Sequence, residues 1–216
     1  VTSITTTIAL ILVCALAVSQ IIPTDRTDRS AKVAQGKTTR SKKPVKTTFT
    51  PASGEFRGVW ISFQDIGEKR YTKKQFENFI NKTFDNCKKN GFNAVIVHVR
   101  PFADALYPSS YFPWSRYVSG KAGKHPGFDP LSYAVSAAHK RGLAFHAWIN
   151  PYRIASNTTN VYKLPKKSIA RKWAVSKKAS KRRNVLKWDG KLYFNPASKD
   201  VQNLVCNGVR EIVRDY

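Results

Sequence analysis

Polar and aromatic side chains collect along three predicted strands, where together they could bind and cleave a polar ligand. Asp104 follows the second of these strands, and its carboxyl group could donate or accept a proton. Tryptophans on the first and third strands offer flat indole faces, which suit the apolar face of a sugar ring. The candidate residues besides Asp104 are Trp60, Ser62, Arg100, His146, Trp148 and Asn150.

The alternation of side chains along a strand assigns these candidates to one face. In the strand predicted over residues 93–100, the three valines at alternate positions share one face, while Ile96, His98 and Arg100 share the other. The strands predicted over residues 56–63 and 143–150 divide in the same way. We expect the apolar face to pack on helices. The mixed face should point into a barrel, with its polar members at the C-terminal strand ends that barrel enzymes use as active sites.

Helix signals lie between and after these strands. Thr72 and Gln75 form a capping box at the start of a helix predicted to end at Asn90, and its apolar residues recur at three- and four-residue spacing. Asp129, followed by Pro130, predicts a second helix, and an apolar stripe from Val201 onward predicts a third. Strands alternating with helix-length crossovers predict a parallel sheet.

The predicted fold class is therefore α/β, a (β/α)8 TIM barrel truncated to about its first three β/α units. A closed barrel needs about eight such units and roughly 250 residues, so we expect this chain of 216 residues to be the N-terminal part. No glycine-rich loop follows a predicted strand, so the sequence indicates neither a dinucleotide-binding nor a triphosphate-binding fold. We expect no cofactor and no metal site.

The chain resembles the bacterial family 10 glycosyl-hydrolase-like proteins over residues 54–216. The stretches that carry the resemblance are FRGVWIS (56–62), HVRPFADALYPS (98–109), PGFDPL (126–131), HKRGLAFHAWINPYR (139–153) and FNP (194–196). The resemblance implies a TIM-barrel hydrolase that cleaves O-glycosidic bonds in a cell-envelope polysaccharide such as peptidoglycan glycan strands. The residues that match pocket-lining positions of this family are Arg100, Asp104, His146, Asn150 and Asn195.

These two lines of reasoning predict roles for the candidate residues. Asp104 is expected to be catalytic, and the expected substrate-binding residues are Trp60, Arg100, His146, Trp148, Asn150 and Asn195. Glycoside hydrolysis normally needs two carboxyl groups facing each other across the bond. This sequence offers Asp104 and Asp65 on the predicted rim, so we expect the remaining acidic residues to follow residue 216.

Other interpretations stay open for these residues and for the whole chain. A histidine inside a barrel, such as His146, can be a satisfied core residue. Arg100 and Asp104 can be a structural salt bridge, because a buried arginine needs a partner. A non-catalytic carbohydrate- or wall-binding barrel module is the main alternative function, and a basic polyanion-binding domain is a third.

The first 53 residues predict a segment and a linker outside this domain. Residues 1–23 carry no charge and form a signal peptide or a membrane anchor. With the family resemblance, this segment predicts an extracytoplasmic location in the cell envelope, although the basic flank that follows favours the opposite orientation. Residues 24–53 form a basic disordered linker.

A strong positive charge indicates anionic partners. The chain has 38 Lys and Arg against 13 Asp and Glu, a formal charge of +25, and such a field attracts polyanions. The predicted long basic loop over residues 162–191 is the densest part and includes Trp173 and Trp188. It could be solvated surface or could contact an anionic wall polymer or a phosphate-bearing glycan. Nucleic acid is disfavoured, since no helix-turn-helix, finger or RNA-binding signature accompanies the charge.

Overall fold

Three parallel strands form the sheet on which the functional residues lie. A computed structural model of the protein describes residues 54–216, so the predicted membrane segment and linker lie outside the described residues. The strands are β1 (Gly58–Ile61), β2 (Ala94–Arg100) and β3 (Ala144–Ile149), in the order β1-β2-β3. The predicted parallel sheet is confirmed. The arrangement is compatible with part of a TIM-barrel-like fold.

Helices follow each of these strands. They are α1 (Phe63–Ile66), α2 (Lys73–Lys89), α3 (Arg116–Ser119), α4 (Pro130–His139), α5 (Ile169–Ala174), α6 (Ala179–Arg182) and α7 (Lys199–Asp215). The capping box at Thr72 and Gln75 is present at the start of α2, and Gly91 follows the helix with a φ of 79° that favours glycine. Within residues 54–216, no helix combines the length and the apolar character needed to cross a membrane.

The apolar face of the sheet packs on α2 and α4, as the alternation predicts. Val95, Val97 and Val99 of β2 are at most 4% exposed. They belong to one core with residues from the buried stripes of the two helices, namely Phe76, Ile80, Phe84, Leu131, Ala134 and Ala138. Burying several large side chains, each contributing about 1.5–3 kcal/mol, fixes which face of the sheet the helices cover. The opposite face is left for the tryptophans.

A second, antiparallel sheet occupies part of the region predicted to be a long basic loop. Its strands are β4 (Arg153–Ala155), β5 (Val185–Trp188) and β6 (Lys191–Phe194), in the order β4-β6-β5. A 3-10 turn (Val161–Lys163) and the helices α5 and α6 lie between β4 and β5. The prediction of one long loop over residues 162–191 was therefore wrong, because helices and a strand lie within it. The elements are short, and their many charged residues hide the apolar pattern on which strand prediction depends.

The end of β2 is fixed by Arg100, which does not point where strict alternation predicts. The pairing of β2 with β3 is irregular between His98 and Arg100, so that Arg100 pairs with Ile149. Such irregularities re-aim a side chain. The guanidinium is 1% exposed and lies 4.4 Å from the centre of the Phe112 ring, against Gly208 of α7.

Gly208 provides the space that the Arg100 guanidinium fills. A Cβ atom at this position would overlap Arg100 and approach the Phe112 ring to 2.7 Å. In the interior of a helix, alanine is normally favoured over glycine by about 1 kcal/mol. A glycine inside the 17-residue helix α7 is therefore explained by its contact with the arginine.

We predict that Gly208→Ala destabilises the protein despite the gain in helix propensity. Overpacking of a tight contact typically costs about 1–3 kcal/mol, and this should exceed the propensity term. Urea unfolding of the purified protein would measure the change. Asn203→Ala, at an exposed position of the same helix, is the control and should change the free energy of unfolding by less than about 0.5 kcal/mol. A higher unfolding midpoint for Gly208→Ala would contradict this account.

Candidate functional site

A cavity of about 310 Å³ lies beyond the C-terminal ends of β2 and β3. Its walls come from the loop that follows β2, from β4 and from the chain that leads into α5. Residues in these walls include Phe102, Asp104, Arg116, Ile154, Lys163 and Ser168. Asp104 therefore faces a cavity at the strand ends where the sequence predicted a site.

Asp104 is the only acidic residue in the wall of this cavity among the residues that the structure describes. Its Oδ1 atom is enclosed and accepts no hydrogen bond. Loss of hydration raises the pKa of Asp104 to about 6, although Ser115, the Phe102 backbone, Arg116 and Arg100 act in the opposite direction. A carboxyl group with this pKa is partly protonated near neutral pH and can exchange a proton with a ligand.

The loop that carries Asp104 is held on both sides of this residue. The backbone N–H of Leu106 donates to the Val99 carbonyl at 3.0 Å, and the N–H of Ala105 donates to the Pro113 carbonyl at 2.9 Å. Farther along the loop, Ser109 Oγ donates to the carboxylate of Glu211 in α7 at 2.5 Å. The position of Asp104 is therefore fixed by β2 and by a helix about a hundred residues later.

Trp60 and Trp148 lie together on the sheet face that the valines leave free. Their ring centres are 4.8 Å apart and the planes nearly perpendicular, at 85°. Trp148 also stacks on His98 at 3.6 Å, with 8° between the planes. Trp60 is 54% exposed, so the pair presents aromatic surface to solvent in the described part of the chain. His146 is on the same face, exposed, with Phe56 edge-on at 5.3 Å.

His98 is a central residue that the sequence placed on this face but not among the candidates. It is 1% exposed, and neither ring nitrogen makes a hydrogen bond within the described residues. Burial and the positive charge of Arg153 lower its pKa to about 4, so the ring is neutral at physiological pH. Its alternation with Arg100 in the same strand was the signal that could have identified it.

Several other candidates are occupied by contacts with the backbone. Asn150 Nδ2 donates to the Pro101 carbonyl at 2.9 Å, and Asn195 Nδ2 donates to the Arg183 carbonyl at 3.1 Å. Ser62 and Asp65 form a capping box at the start of α1, where Ser62 N–H donates to Asp65 Oδ2 at 2.7 Å. These residues shape the ends of strands and helices, and Asp65 is not among the residues that line the cavity.

The salt bridge considered as an alternative for Arg100 and Asp104 is absent from the described part of the chain, where no ion pair joins them. Arg100 points toward Phe112 and α7 rather than toward the tryptophan face, because of the irregular pairing at the end of β2. The structure thus groups Trp60, Trp148 and His146 on one face and Asp104 in the cavity. It places Arg100 and Asn195 elsewhere. In residues 54–216, no cluster of three or more His, Cys, Asp or Glu side chains could hold a metal ion.

Comparison with known proteins identifies relatives of the described domain. The sequence profile of the glycosyl hydrolase-like 10 family matches residues 55–216. Glycosyl hydrolase YngK of Bacillus subtilis (strain 168) is 40% identical over 170 residues, which are 75% of this chain and 31% of the relative. Glycosyl hydrolase DigH of Escherichia coli (strain K12) is 30% identical over 185 residues, 81% of this chain and 42% of the relative. This chain thus spans well under half the length of either relative.

The raised pKa of Asp104 predicts a specific pH dependence of stability. The folded state binds the proton more tightly than the unfolded state, whose reference pKa is 3.8. Stability is therefore lost as pH rises from about 4 through about 6. Asp104→Asn removes this loss, and at pH 8 it should raise the free energy of unfolding by up to roughly 3 kcal/mol. Thermal or urea unfolding between pH 4 and 8 measures the effect.

Asp85→Asn is the control, because it should change the free energy of unfolding at pH 8 in the opposite direction. Asp85 is paired with Arg141 at 2.6 Å, and this contact lowers the pKa of Asp85. Its contribution to stability is present above the unfolded pKa, so its removal should slightly destabilise the protein at pH 8. If Asp104→Asn also destabilises the protein at pH 8, Asp104 is held by an ion pair and the account above is wrong.

Proposed function

The chain belongs to the glycosyl hydrolase-like 10 family, and from this premise we propose that it forms part of a glycosidase. The substrate in this proposal is a cell-envelope polysaccharide such as peptidoglycan glycan strands. The three parallel β/α units correspond to the first units of a (β/α)8 TIM barrel, whose active site lies at the C-terminal strand ends. The observation that carries the proposal is the protonatable carboxyl group of Asp104 in the cavity at that end.

Asp104 is the general acid in this mechanism. Its proton passes to the glycosidic oxygen while the bond between this oxygen and the anomeric carbon breaks, and the sugar leaves as a neutral alcohol. A second carboxylate completes the reaction in one of two ways. It takes a proton from the water molecule that attacks the anomeric carbon, or it first bonds to this carbon and is then displaced by water. Within the described residues, the cavity wall supplies only the first of these two carboxyl groups.

The tryptophan pair is the sugar platform in this proposal. Trp148 is held from behind by its stacking contact with His98, which fixes the indole plane. Rings in fixed positions bind a ligand with less loss of conformational entropy than mobile ones. A neutral His98, with its lowered pKa, leaves the platform without a buried charge.

A non-catalytic carbohydrate-binding barrel is the second candidate. The feature that favours it is the combination of exposed aromatic surface at Trp60 with a single acidic residue in the cavity wall of residues 54–216. In that case, glycan binding persists without bond cleavage, and Asp104 contributes only hydrogen bonds to the ligand. A measurement of glycan turnover distinguishes a glycosidase from a non-catalytic carbohydrate-binding barrel.

We predict that Asp104→Asn in the complete protein lowers the turnover of purified glycan strands about 10²- to 10⁴-fold, the usual contribution of a general acid. The wild-type rate should fall as pH rises through about 6, because the acid must be protonated. Release of reducing ends, normalised to the folded fraction, measures both effects. Asp65→Asn, in the α1 capping box, is the control and should keep its turnover per folded molecule. Equal turnover of wild type and Asp104→Asn would exclude Asp104 as the acid.

Export belongs to the same proposal, since the envelope polysaccharide is outside the cytoplasm. The uncharged stretch over residues 1–23 supports it. A fusion of alkaline phosphatase after residue 53 should be active in bacteria, because this enzyme needs an oxidising compartment for its disulfides. The matched fusion that lacks residues 1–23 should be inactive. An inactive full fusion at normal expression level would exclude export.

A further inference from the structure

Positive charge is concentrated in residues 162–191, here called the basic segment. It contains twelve Lys and Arg residues and one acidic residue, Asp189. Nearly a third of the 38 basic residues of the chain therefore lie in one seventh of its length. Folding such a segment brings like charges together, which costs free energy unless anionic groups offset the repulsion.

Only some of these cations are used to build the segment. Arg171 donates to the carbonyl oxygens of Tyr162 and Leu164, at 3.1 and 2.9 Å. Lys181 pairs with Asp200 at 2.8 Å, and Lys191 pairs with Asp189. These contacts join the short elements of the segment to each other and to the start of α7.

Besides Lys163 in the cavity wall, six lysines of the basic segment are exposed and make no ion pair or side-chain hydrogen bond with the described residues. They are Lys166, Lys167, Lys172, Lys177, Lys178 and Lys187. They are spread over the approach to α5, the helix itself, the approach to α6 and strand β5. A row of free cations distributed along a chain suits an extended polyanion better than a single small anion.

Two exposed rings accompany these cations. Tyr162 is 67% exposed and Trp188 is 70% exposed. Trp188 is at the end of β5, and its ring centre is 6.3 Å from that of Tyr193 in the neighbouring strand. Exposed flat rings and free cations within one segment match a polymer with both apolar ring faces and anionic groups, which describes an acidic polysaccharide.

The basic segment is continuous with the cavity that holds Asp104. Lys163, Leu164, Pro165 and Ser168 form part of the cavity wall. Lys163 is exposed and makes no ion pair in the described part of the chain, and the next free lysine along the chain is Lys166. A polymer bound along the segment can therefore extend into the cavity. This continuity favours a polysaccharide over a nucleic acid or a bilayer, because the domain belongs to a glycosyl hydrolase-like family.

We propose that the basic segment is a docking surface for an anionic polysaccharide. Its free lysines bind the carboxylate or phosphate groups of the polymer, and Trp188 covers a sugar ring. The inference rests on the carbohydrate-binding part of the proposed function but needs no bond cleavage. Binding is therefore measured separately from turnover. A protein that binds polygalacturonate but releases no reducing ends from purified glycan strands supports the docking surface and refutes only the glycosidase proposal.

Binding of polygalacturonate to the complete protein tests the role of the charges. The triple variant Lys166→Glu, Lys167→Glu, Lys172→Glu should weaken binding about tenfold or more, since three attractions become repulsions. The control triple Lys82→Glu, Lys88→Glu, Lys89→Glu changes the net charge equally on exposed positions of α2 and should weaken it less than about threefold. Equal loss in both triples would overturn the proposal, because net charge alone would then explain binding. Circular dichroism verifies folding, and Lys177→Gln with Lys187→Gln is the milder second variant.

Binding of other polymers tests the identity of the partner. Trp188→Ala should weaken binding of polygalacturonate but not of inorganic polyphosphate, which has no sugar ring. Neutral dextran should bind more weakly than polygalacturonate. The proposal fails if Trp188→Ala leaves polygalacturonate binding unchanged. It also fails if a single-stranded oligonucleotide or anionic vesicles bind more tightly than polygalacturonate at the same ionic strength.

Discussion

A guanidinium group without a carboxylate in direct contact is costly to bury, and Arg100 is buried at the point where β2 ends. Burial lowers its pKa, while Tyr107, Glu211 and Asp104 act in the opposite direction. The ring of Phe112 covers one face of the group, and Gly208 leaves it room. This packing joins the strand end, the loop that follows it and α7. The same helix presents Glu211 one turn later, where its carboxylate accepts hydrogen bonds from Ser109 and Ser110. The loop that carries Asp104 is thus held at both ends by contacts that depend on α7.

Local rules predict much of the fold because they concern neighbours in sequence. The capping box at Thr72 and the valine alternation of β2 depend only on residues a few positions apart, and both are found in the structure. The predicted direction of the Arg100 side chain was wrong, because β2 departs from regular pairing with β3 at this residue and that departure depends on a second strand. The small antiparallel sheet was missed for a related reason. Its strands of three or four residues contain too few apolar positions for a periodic signal.

In the candidate site, the sequence likewise predicted where residues lie along the strands but not what surrounds them in the folded protein. Strand alternation placed Trp60 and Trp148 on one face, and they contact each other there. Position after β2 placed Asp104 at the strand ends, where it lines the cavity. Its raised pKa could not be predicted, because it results from enclosure by residues distant in sequence, among them Ile154 and Leu164. The hydrogen bond from Asn150 to the Pro101 carbonyl could not be predicted either, because sequence does not show which backbone carbonyl will accept a side-chain hydrogen bond.

In a chain of formal charge +25, a carboxyl group near cations should have a lowered pKa. Arg100 and Arg116 do act in this direction on Asp104, yet its pKa is raised to about 6 because loss of hydration is the larger effect. Burial is therefore the means by which this basic domain keeps a fraction of the Asp104 carboxyl group protonated near neutral pH, and it does so at a cost in stability at higher pH. An anionic polymer on the basic segment would act in the same direction as burial. Lys163 lines the cavity with Asp104, so negative charge docked beside it would offset the cations and raise the pKa of Asp104 further. Docking and proton donation would then be coupled through the electrostatic field of one cavity.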